Sequence, residues 1–328
     1  MAVVTRHPLP ISSIEWELTS RCNYDCSYCT QRQYAALSWG DCRDDVVDAV
    51  LNLLRSRPGS WLVKLSGGEP FLHPRFLEIA GSVAGMGHRI STTTNFSVPQ
   101  RVLERFLAVC GDRLDLVTAS LHPSQVRDLD GFIEKARWFQ SSKPVSSRFI
   151  VTTVGVESDL LRLQVLARQF DTLAIPFEVA PMKDGAQFVT YHDPAFVRFM
   201  ESRPLRHVDE IKGARMLGTV CHTGAQFVRI TLDGDALRCY NLQPRFAMGN
   251  VVDGSIQWLK EAKPCLAKEC TCTVPANRHM IEYGNRVDAA SLAADAVRAI
   301  VEHGPAWVRL GLRWAAKAVR GPMAERRR

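Results

Sequence analysis

Two stretches decide how this chain reads: Ile14-Glu-Trp-Glu17-Leu-Thr-Ser-Arg-Cys22-Asn-Tyr-Asp-Cys26-Ser-Tyr-Cys29, and, downstream, Trp61-Leu-Val-Lys-Leu65-Ser-Gly67-Gly68-Glu69-Pro70. Residues 14–18 alternate apolar and acidic side chains, as a strand with one buried face does. The strand runs directly into a loop whose thiols are spaced C-x3-C-x2-C. Residues 61–65 form a second short apolar strand, ending in a glycine-rich loop. Between them, residues 41–56 read as a helix with Asp41 as its N-cap. Val46, Val47, Val50, Leu51 and Leu54 share one face, and Arg57-Pro58-Gly59 ends it.

Working outward, the unit repeats. Helices are expected over 74–84, 98–109, 129–141 and 158–169, and strands over 88–94, 114–120, 146–154 and 175–180. Strands and helices alternating at this spacing imply parallel βαβ units. The fold class expected is α/β, a partial (β/α)6 TIM-like barrel with function at the C-terminal ends of its strands. After about residue 185 the pattern changes. Helices are expected over 194–203, 208–216 and 255–262, with a β-hairpin over 227–240 turning at Asp233-Gly234-Asp235. The expected division is a barrel over 12–185, a small C-terminal auxiliary domain over 186–285 and a basic amphipathic helical tail over 286–328.

Ten cysteines are present, and eight of them cluster: Cys22, Cys26 and Cys29, then Cys221 and Cys239, then Cys265, Cys270 and Cys272. In a reducing compartment such groups read as metal ligands before disulfides. Cys42 and Cys110 stand alone in apolar patterns and read as buried small hydrophobes. Three thiolates on one loop can hold three irons of a 4Fe–4S cube and leave the fourth open to a ligand. A zinc knuckle completed by His73 or His122 uses the same thiols.

The surrounding residues resemble the radical S-adenosylmethionine (SAM) superfamily over roughly residues 12–185. Glu17–Cys29 is similar to that family's first strand and cluster loop, and Ser66-Gly67-Gly68-Glu69-Pro70 to its motif for the methionine part of SAM. Thr92-Thr93-Thr94-Asn95 resembles the ribose-contacting region. Ser120, Val179 and Pro181 fall at strand ends where the family meets ribose, carboxylate and adenine, and Tyr28 at its adenine-packing aromatic position. The resemblance implies a 4Fe–4S cluster bound to SAM. Its reductive cleavage yields a 5′-deoxyadenosyl radical that abstracts a substrate hydrogen. It also implies a flavodoxin- or ferredoxin-type reductant.

The spacing from Cys221 through Gly234 to Cys239 resembles the auxiliary-cluster segment of SPASM or twitch enzymes. Cys265, Cys270 and Cys272 would then supply the remaining ligands of a second 4Fe–4S cluster. A full SPASM domain carries seven cysteines for two clusters; the five here suit one cluster with one thiol to spare. Structural zinc is the alternative.

Composition narrows the setting. Hydrophobic residues make up 46% and charged residues 23%, the balance of a globular protein. No run approaches the roughly 20 apolar residues of a membrane span, and the N-terminus lacks the apolar core of a secretory signal. A cytoplasmic location is expected. The net charge of +7 lies almost wholly in residues 305–328, so no nucleic-acid partner is expected of the body. In that tail Trp307, Leu310, Trp314 and Ala318 share a helical face opposite Arg309, Arg313, Lys317 and Arg320. Such a helix suits a membrane surface, an acidic partner, or packing on the protein itself.

Acid–base candidates at strand ends and loops are Glu17, Lys64, His73, His122, Arg148, Lys183 and Asp184, with His122 and Lys183 foremost as catalytic groups. The function expected is oxidation or related tailoring of a small or lipid-linked, sugar-like substrate. Two alternatives are radical modification of a ribosomally made peptide and a non-catalytic zinc or electron-transfer module.

Overall fold

The computed structural model describes residues 10–30, 40–184, 187–205, 216–240, 247–267, 270, 272–288, 290–294, 297, 304 and 308. Strands and helices alternate as β1 (Ser13–Thr19), α1 (Asp44–Arg55), β2 (Leu62–Gly67), α2 (Phe76–Gly85), β3 (Arg89–Thr94), α3 (Gln100–Cys110), β4 (Leu114–Ser120), α4 (Leu129–Ser142), β5 (Arg148–Val154), α5 (Leu160–Thr172) and β6 (Phe177–Ala180). Each strand pairs in parallel with the next. The fold is therefore α/β with a mostly parallel sheet, a partial TIM-like barrel.

The two-residue side-chain period of the strands sorts chemistry to the two faces. Ile14, Trp16, Leu18, Val63, Leu65, Ile90, Val117 and Val151 face the helices and are fully buried. Each such side chain contributes on the order of 1.5–3 kcal/mol. The alternate positions, Glu15, Lys64, Ser91, Thr118 and Glu178, turn to the other face, so the lumen is polar. Cys42 and Cys110 lie in the core at 4% and 2% exposure, as small hydrophobes.

Beyond β6 come the two-residue strands β7 (Lys183–Asp184) and β8 (Gln187–Phe188), then α6 (Pro194–Ser202). Asp193 caps α6 by accepting from the Ala195 amide at 2.8 Å, with Pro194 at the first helical position. The chain continues through β9 (Thr219–Cys221), β10 (Phe227–Ile230), β11 (Asp235–Leu237), β12 (Ala247–Asn250), β13 (Lys263–Pro264), α7 (Val274–Asn277) and β14 (Ile281–Arg286). The expected hairpin is β10–β11, and it does not stand apart. β10 pairs in parallel with β1, Ser13 opposite Phe227 through Trp16 opposite Ile230. The main sheet therefore has nine strands in the order β12-β11-β10-β1-β2-β3-β4-β5-β6. The exposed edge of β1 is thereby closed, and Arg229 on β10 is bonded to Glu17 on β1. A second sheet, β13-β9-β14, lies beside it.

Three local expectations are corrected. Residues 255–262 are not helical: the amides of Gln257 and Leu259 donate to the carbonyls of Met248 (2.8 Å) and Gly224 (3.0 Å), holding the segment extended. Asp41 does not cap α1, which starts at Asp44. Its carboxylate is held by Arg21 at 2.9 and 2.7 Å and its backbone bridges Thr19. His73 is not a spare metal ligand, because Nε2 meets the Cys42 carbonyl at 3.3 Å and Nδ1 accepts from the Arg75 amide at 3.2 Å. The helix expected over 208–216 lies outside the described residues apart from Met216, and the tail of 305–328 apart from Val308. Among the described residues no helix is long and apolar enough to cross a membrane.

Candidate functional site

The loops following β1 and β2 are joined edge to edge. The Gly68 amide donates to the Thr19 carbonyl at 2.7 Å, and the Glu69 amide to the Arg21 carbonyl at 2.8 Å. Only glycine permits this approach. A Cβ on Gly67, whose φ is +140°, would lie 2.1 Å from the Thr19 oxygen, and one on Gly68 would lie 2.3 Å from the Arg21 oxygen. Sequence reasoning assigned these glycines to ligand contact; their geometry also makes them the joint between the thiol loop and the Gly-Gly-Glu-Pro loop. Arg21 locks that joint, reaching both Asp41 and the Leu72 carbonyl (2.7 Å).

Glu69 is fully buried. Its Oε1 accepts from Thr94 Oγ1 at 2.8 Å and the Phe71 amide at 3.2 Å, and its Oε2 from the Asn95 amide at 2.6 Å. Burial pushes its carboxyl up to about 7, outweighing those three bonds. Asn95 Nδ2 in turn donates to Asn23 Oδ1 at 2.8 Å and lies 3.8 Å from Cys22 Sγ. Gly67, Gly68, Glu69, Thr94, Asn95 and Cys22 therefore form one connected, largely buried cluster at the C-terminal ends of β1, β2 and β3.

Cys22 is exposed, Cys26 buried and Cys29 half-buried. The Cys29 amide donates to the Cys26 carbonyl at 3.1 Å, folding the loop into a turn. Burial first, then the neighbouring Cys29 and Cys22 thiols, push Cys26 up to about 11. The thiols thus lie within electrostatic reach of one another, although among the described residues no set of three is gathered at metal-ligating distance. Three soft donors on one turn, with the Asn95 amide beside the first, fit an iron–sulfur cube with one open iron.

On the far side of this loop the Tyr28 hydroxyl meets His122 Nδ1 at 3.1 Å, and the two rings lie 5.8 Å apart. Burial pushes His122 down to about 4, so its imidazole is neutral near pH 7. His122 and Ser120 line a cavity of about 720 Å³ that follows the barrel lumen. At its other end stand Leu62, Arg89 and Arg148, the first residues of β2, β3 and β5, with Asn277, Arg278 and His279. Val179 points instead into the core, its amide bonded to the Arg203 carbonyl at 2.8 Å. Pro181 is half-buried just past β6.

The C-terminal thiols come from separate segments. Cys221 ends β9, Cys265 follows β13, and Cys270 and Cys272 precede α7. Burial, then the Cys272, Cys265 and Cys221 thiols, push Cys270 up to about 12, so the four share one neighbourhood. Cys272 is pushed up to about 11 by burial, with Lys183, Glu15 and Lys64 as its charged neighbours. Lys64 Nζ bonds Glu15 Oε1 at 3.2 Å and approaches the Tyr240 hydroxyl at 3.4 Å. Lys183 also lies 5.7 Å from the Phe188 ring. Cys239 is half-buried just beyond β11, and Tyr240 beside it stacks on Phe227 at 6.1 Å. Sequence reasoning missed Arg278 as a cavity-lining group and Glu15 and Arg229 as the buried ion-pair partners of Lys64 and Glu17. The acidic alternation of β1 was a readable signal for Glu15; nothing local marks the two arginines.

Comparison with known proteins places this geometry. Residues 16–132 match the Radical SAM superfamily. A probable GTP 3′,8-cyclase of Methanothermobacter thermautotrophicus is 30% identical over 128 residues, 39% of this chain and 41% of that protein. An AdoMet-dependent heme synthase of Methanosarcina barkeri is 30% identical over 105 residues, 31% and 30% of the two chains. The matches thus span less than half the length of these curated relatives. Among solved structures, anSMEcpe with bound AdoMet shares the fold, with a TM-score of 0.56 at 16% identity over 92% of this chain and 98% of that one. The likeness to the Radical SAM superfamily thus rests on residues 16–132, and a domain of that superfamily implies a 4Fe–4S cluster and SAM.

Proposed function

We propose that this chain works through its radical SAM domain as an oxidoreductase or tailoring enzyme. Its substrate would be a small or membrane-associated, sugar-like molecule held in the barrel lumen. The supporting observation is the polar cavity of about 720 Å³, reaching from the Tyr28–His122 pair beside the thiol loop to the segment carrying Arg278, six residues past Cys272. When bound, the cluster on Cys22, Cys26 and Cys29 together with SAM supplies a 5′-deoxyadenosyl radical that removes a substrate hydrogen. Cys221 and Cys239, with ligands from Cys265, Cys270 and Cys272, would hold a second 4Fe–4S cluster, which would offer an acceptor for the electron left behind.

The chain's own residues bind and orient. Gly67 and Gly68 hold the two loops together, and Glu69, Thr94 and Asn95 form the wall against which SAM is placed. Tyr28, Ser120 and Pro181 border it at the strand ends, with Val179 contributing backbone. With Tyr28 accepting from His122 Nδ1–H, Nε2 of the neutral imidazole is left to accept a hydrogen bond from a substrate hydroxyl and orient it. Lys183, a charged neighbour of Cys272, is the second catalytic group we assign, as a hydrogen-bond donor to the substrate. We assign the barrel to 12–185, the auxiliary domain to 186–285 and the tail to 286–328. A flavodoxin- or ferredoxin-type reductant would serve the enzyme in the cytoplasm, with the tail at a membrane surface.

The test is anaerobic reconstitution, reduction with dithionite and an assay for 5′-deoxyadenosine. Wild type should form it from SAM and Cys26→Ala should not; no product from wild type would refute the proposal. About eight irons per chain supports both clusters and about four removes the second.

A further inference from the structure

We propose that Arg278 anchors an anionic group of the substrate, a phosphate or carboxylate, at the floor of the barrel lumen. This deepens the reading of the lumen as the substrate site and rests on it. Arg278 follows α7, and its carbonyl accepts from the Ile11 amide at 2.9 Å, tying the segment beneath the strands' N-terminal ends. The side chain is only 5% exposed and lines the cavity. Its guanidinium lies 5.6 Å from the Phe227 ring. Nη1 is buried and has no hydrogen-bond partner among the described residues.

The other cations of the lumen wall contrast with it. Arg89 and Arg148 each reach Asp115 at 2.9 Å, and Lys64 reaches Glu15 at 3.2 Å. Among the described residues no carboxylate lies within ion-pair distance of Arg278. Burying a guanidinium without such a partner is costly, and an anion supplied by a ligand would offset that cost. Ser91 Oγ, on the same wall, is likewise buried with no partner among the described residues. A guanidinium and a hydroxyl lining one cavity are the donor types an oxyanion takes. An anion held there puts the rest of the substrate along the lumen toward His122, at the end where SAM is placed. The polar head and the reacting carbon are thereby separated. The competing role, a countercharge to nearby Glu15 and Cys272, requires no ligand.

Equilibrium dialysis of anaerobically reconstituted full-length protein against labelled inorganic phosphate, and separately acetate, distinguishes the two. Saturable binding of at least one probe is expected. Arg278→Gln should weaken it roughly tenfold or more and Arg278→Lys by about threefold, with iron per chain unchanged. Ser91→Ala, which leaves Arg278 in place, should weaken it by about twofold to fivefold. Binding of neither probe, or equal binding by wild type and Arg278→Gln, overturns the proposal, and the countercharge role then stands. 5′-Deoxyadenosine formation is scored on the same samples. Its absence from wild type would count against the radical reading and leave dialysis to judge Arg278.

Discussion

The two thiol sites are built in opposite ways. Cys22, Cys26 and Cys29 sit on one turn, and the loop that holds them is bonded backbone to backbone to the Gly67–Glu69 loop. Cys221, Cys265, Cys270 and Cys272 arrive from β9, from beyond β13 and from the approach to α7. Spacing along the chain therefore determines the first site, while the second exists only once the β13-β9-β14 sheet has formed and α7 has been seated. A contiguous site can be read from its motif; an assembled one discloses its ligand types and conceals its geometry.

The contrast can be broken at the joint. Gly67→Ala places a Cβ 2.1 Å from the Thr19 oxygen at a φ of +140°. It should destabilise the protein by roughly 3 kcal/mol or more and abolish 5′-deoxyadenosine formation. Gly218→Ala, at a φ of +82° with its Cβ 3.2 Å from the Val287 oxygen and its amide on the Cys265 carbonyl, tests the other region. It should lower stability by about 1–2 kcal/mol in urea unfolding yet leave the iron bound by Cys22, Cys26 and Cys29 in place. Loss of that iron in both variants would show that the two regions are not separable.

A smaller effect sharpens the same comparison through pH. The folded-state pKa of Glu69 is raised from 4.5 to about 7, so the folded state keeps a proton that the unfolded chain has released. Its contribution to stability is present below pH 4.5 and is lost as pH rises through about 7, a change of about 3 kcal/mol. Urea unfolding of the cluster-free protein at pH 5 and pH 8 should show this loss, and Glu69→Gln should remove it. An unchanged pH dependence in Glu69→Gln would mean that burial is not what holds the proton.

Much of the barrel was legible because each strand's alternation and each helix's apolar face are local properties. β4 falls at its expected residues, Leu114–Ser120. What was not legible depended on contacts far along the chain. Nothing in residues 227–240 says that β10 will lie parallel to β1, because the pairing is settled by an open strand edge and by Glu17 meeting Arg229. Residues 255–262, between the later cysteines, were expected to be a short helix. In the fold Trp258 lies 5.6 Å from Trp61 with Arg57 4.0 Å over its ring, and those contacts hold the segment extended. At the site, Glu69, Thr94 and Asn95 were named from motifs, and their mutual bonding followed from β2 and β3 being neighbours. Arg278 carries no motif at all; only its burial against the lumen distinguishes it.

The central claim is that the two thiol sites hold clusters of different kinds, one open to SAM and one closed. Electron paramagnetic resonance of reconstituted, dithionite-reduced full-length protein, with and without SAM, tests it most directly. Two cluster signals should be present, and SAM should shift one of them. Replacing Cys22, Cys26 and Cys29 together by alanine should remove the SAM-sensitive signal and leave the other. A spectrum that SAM does not alter, or a SAM-sensitive signal that survives in the triple variant, would contradict the account.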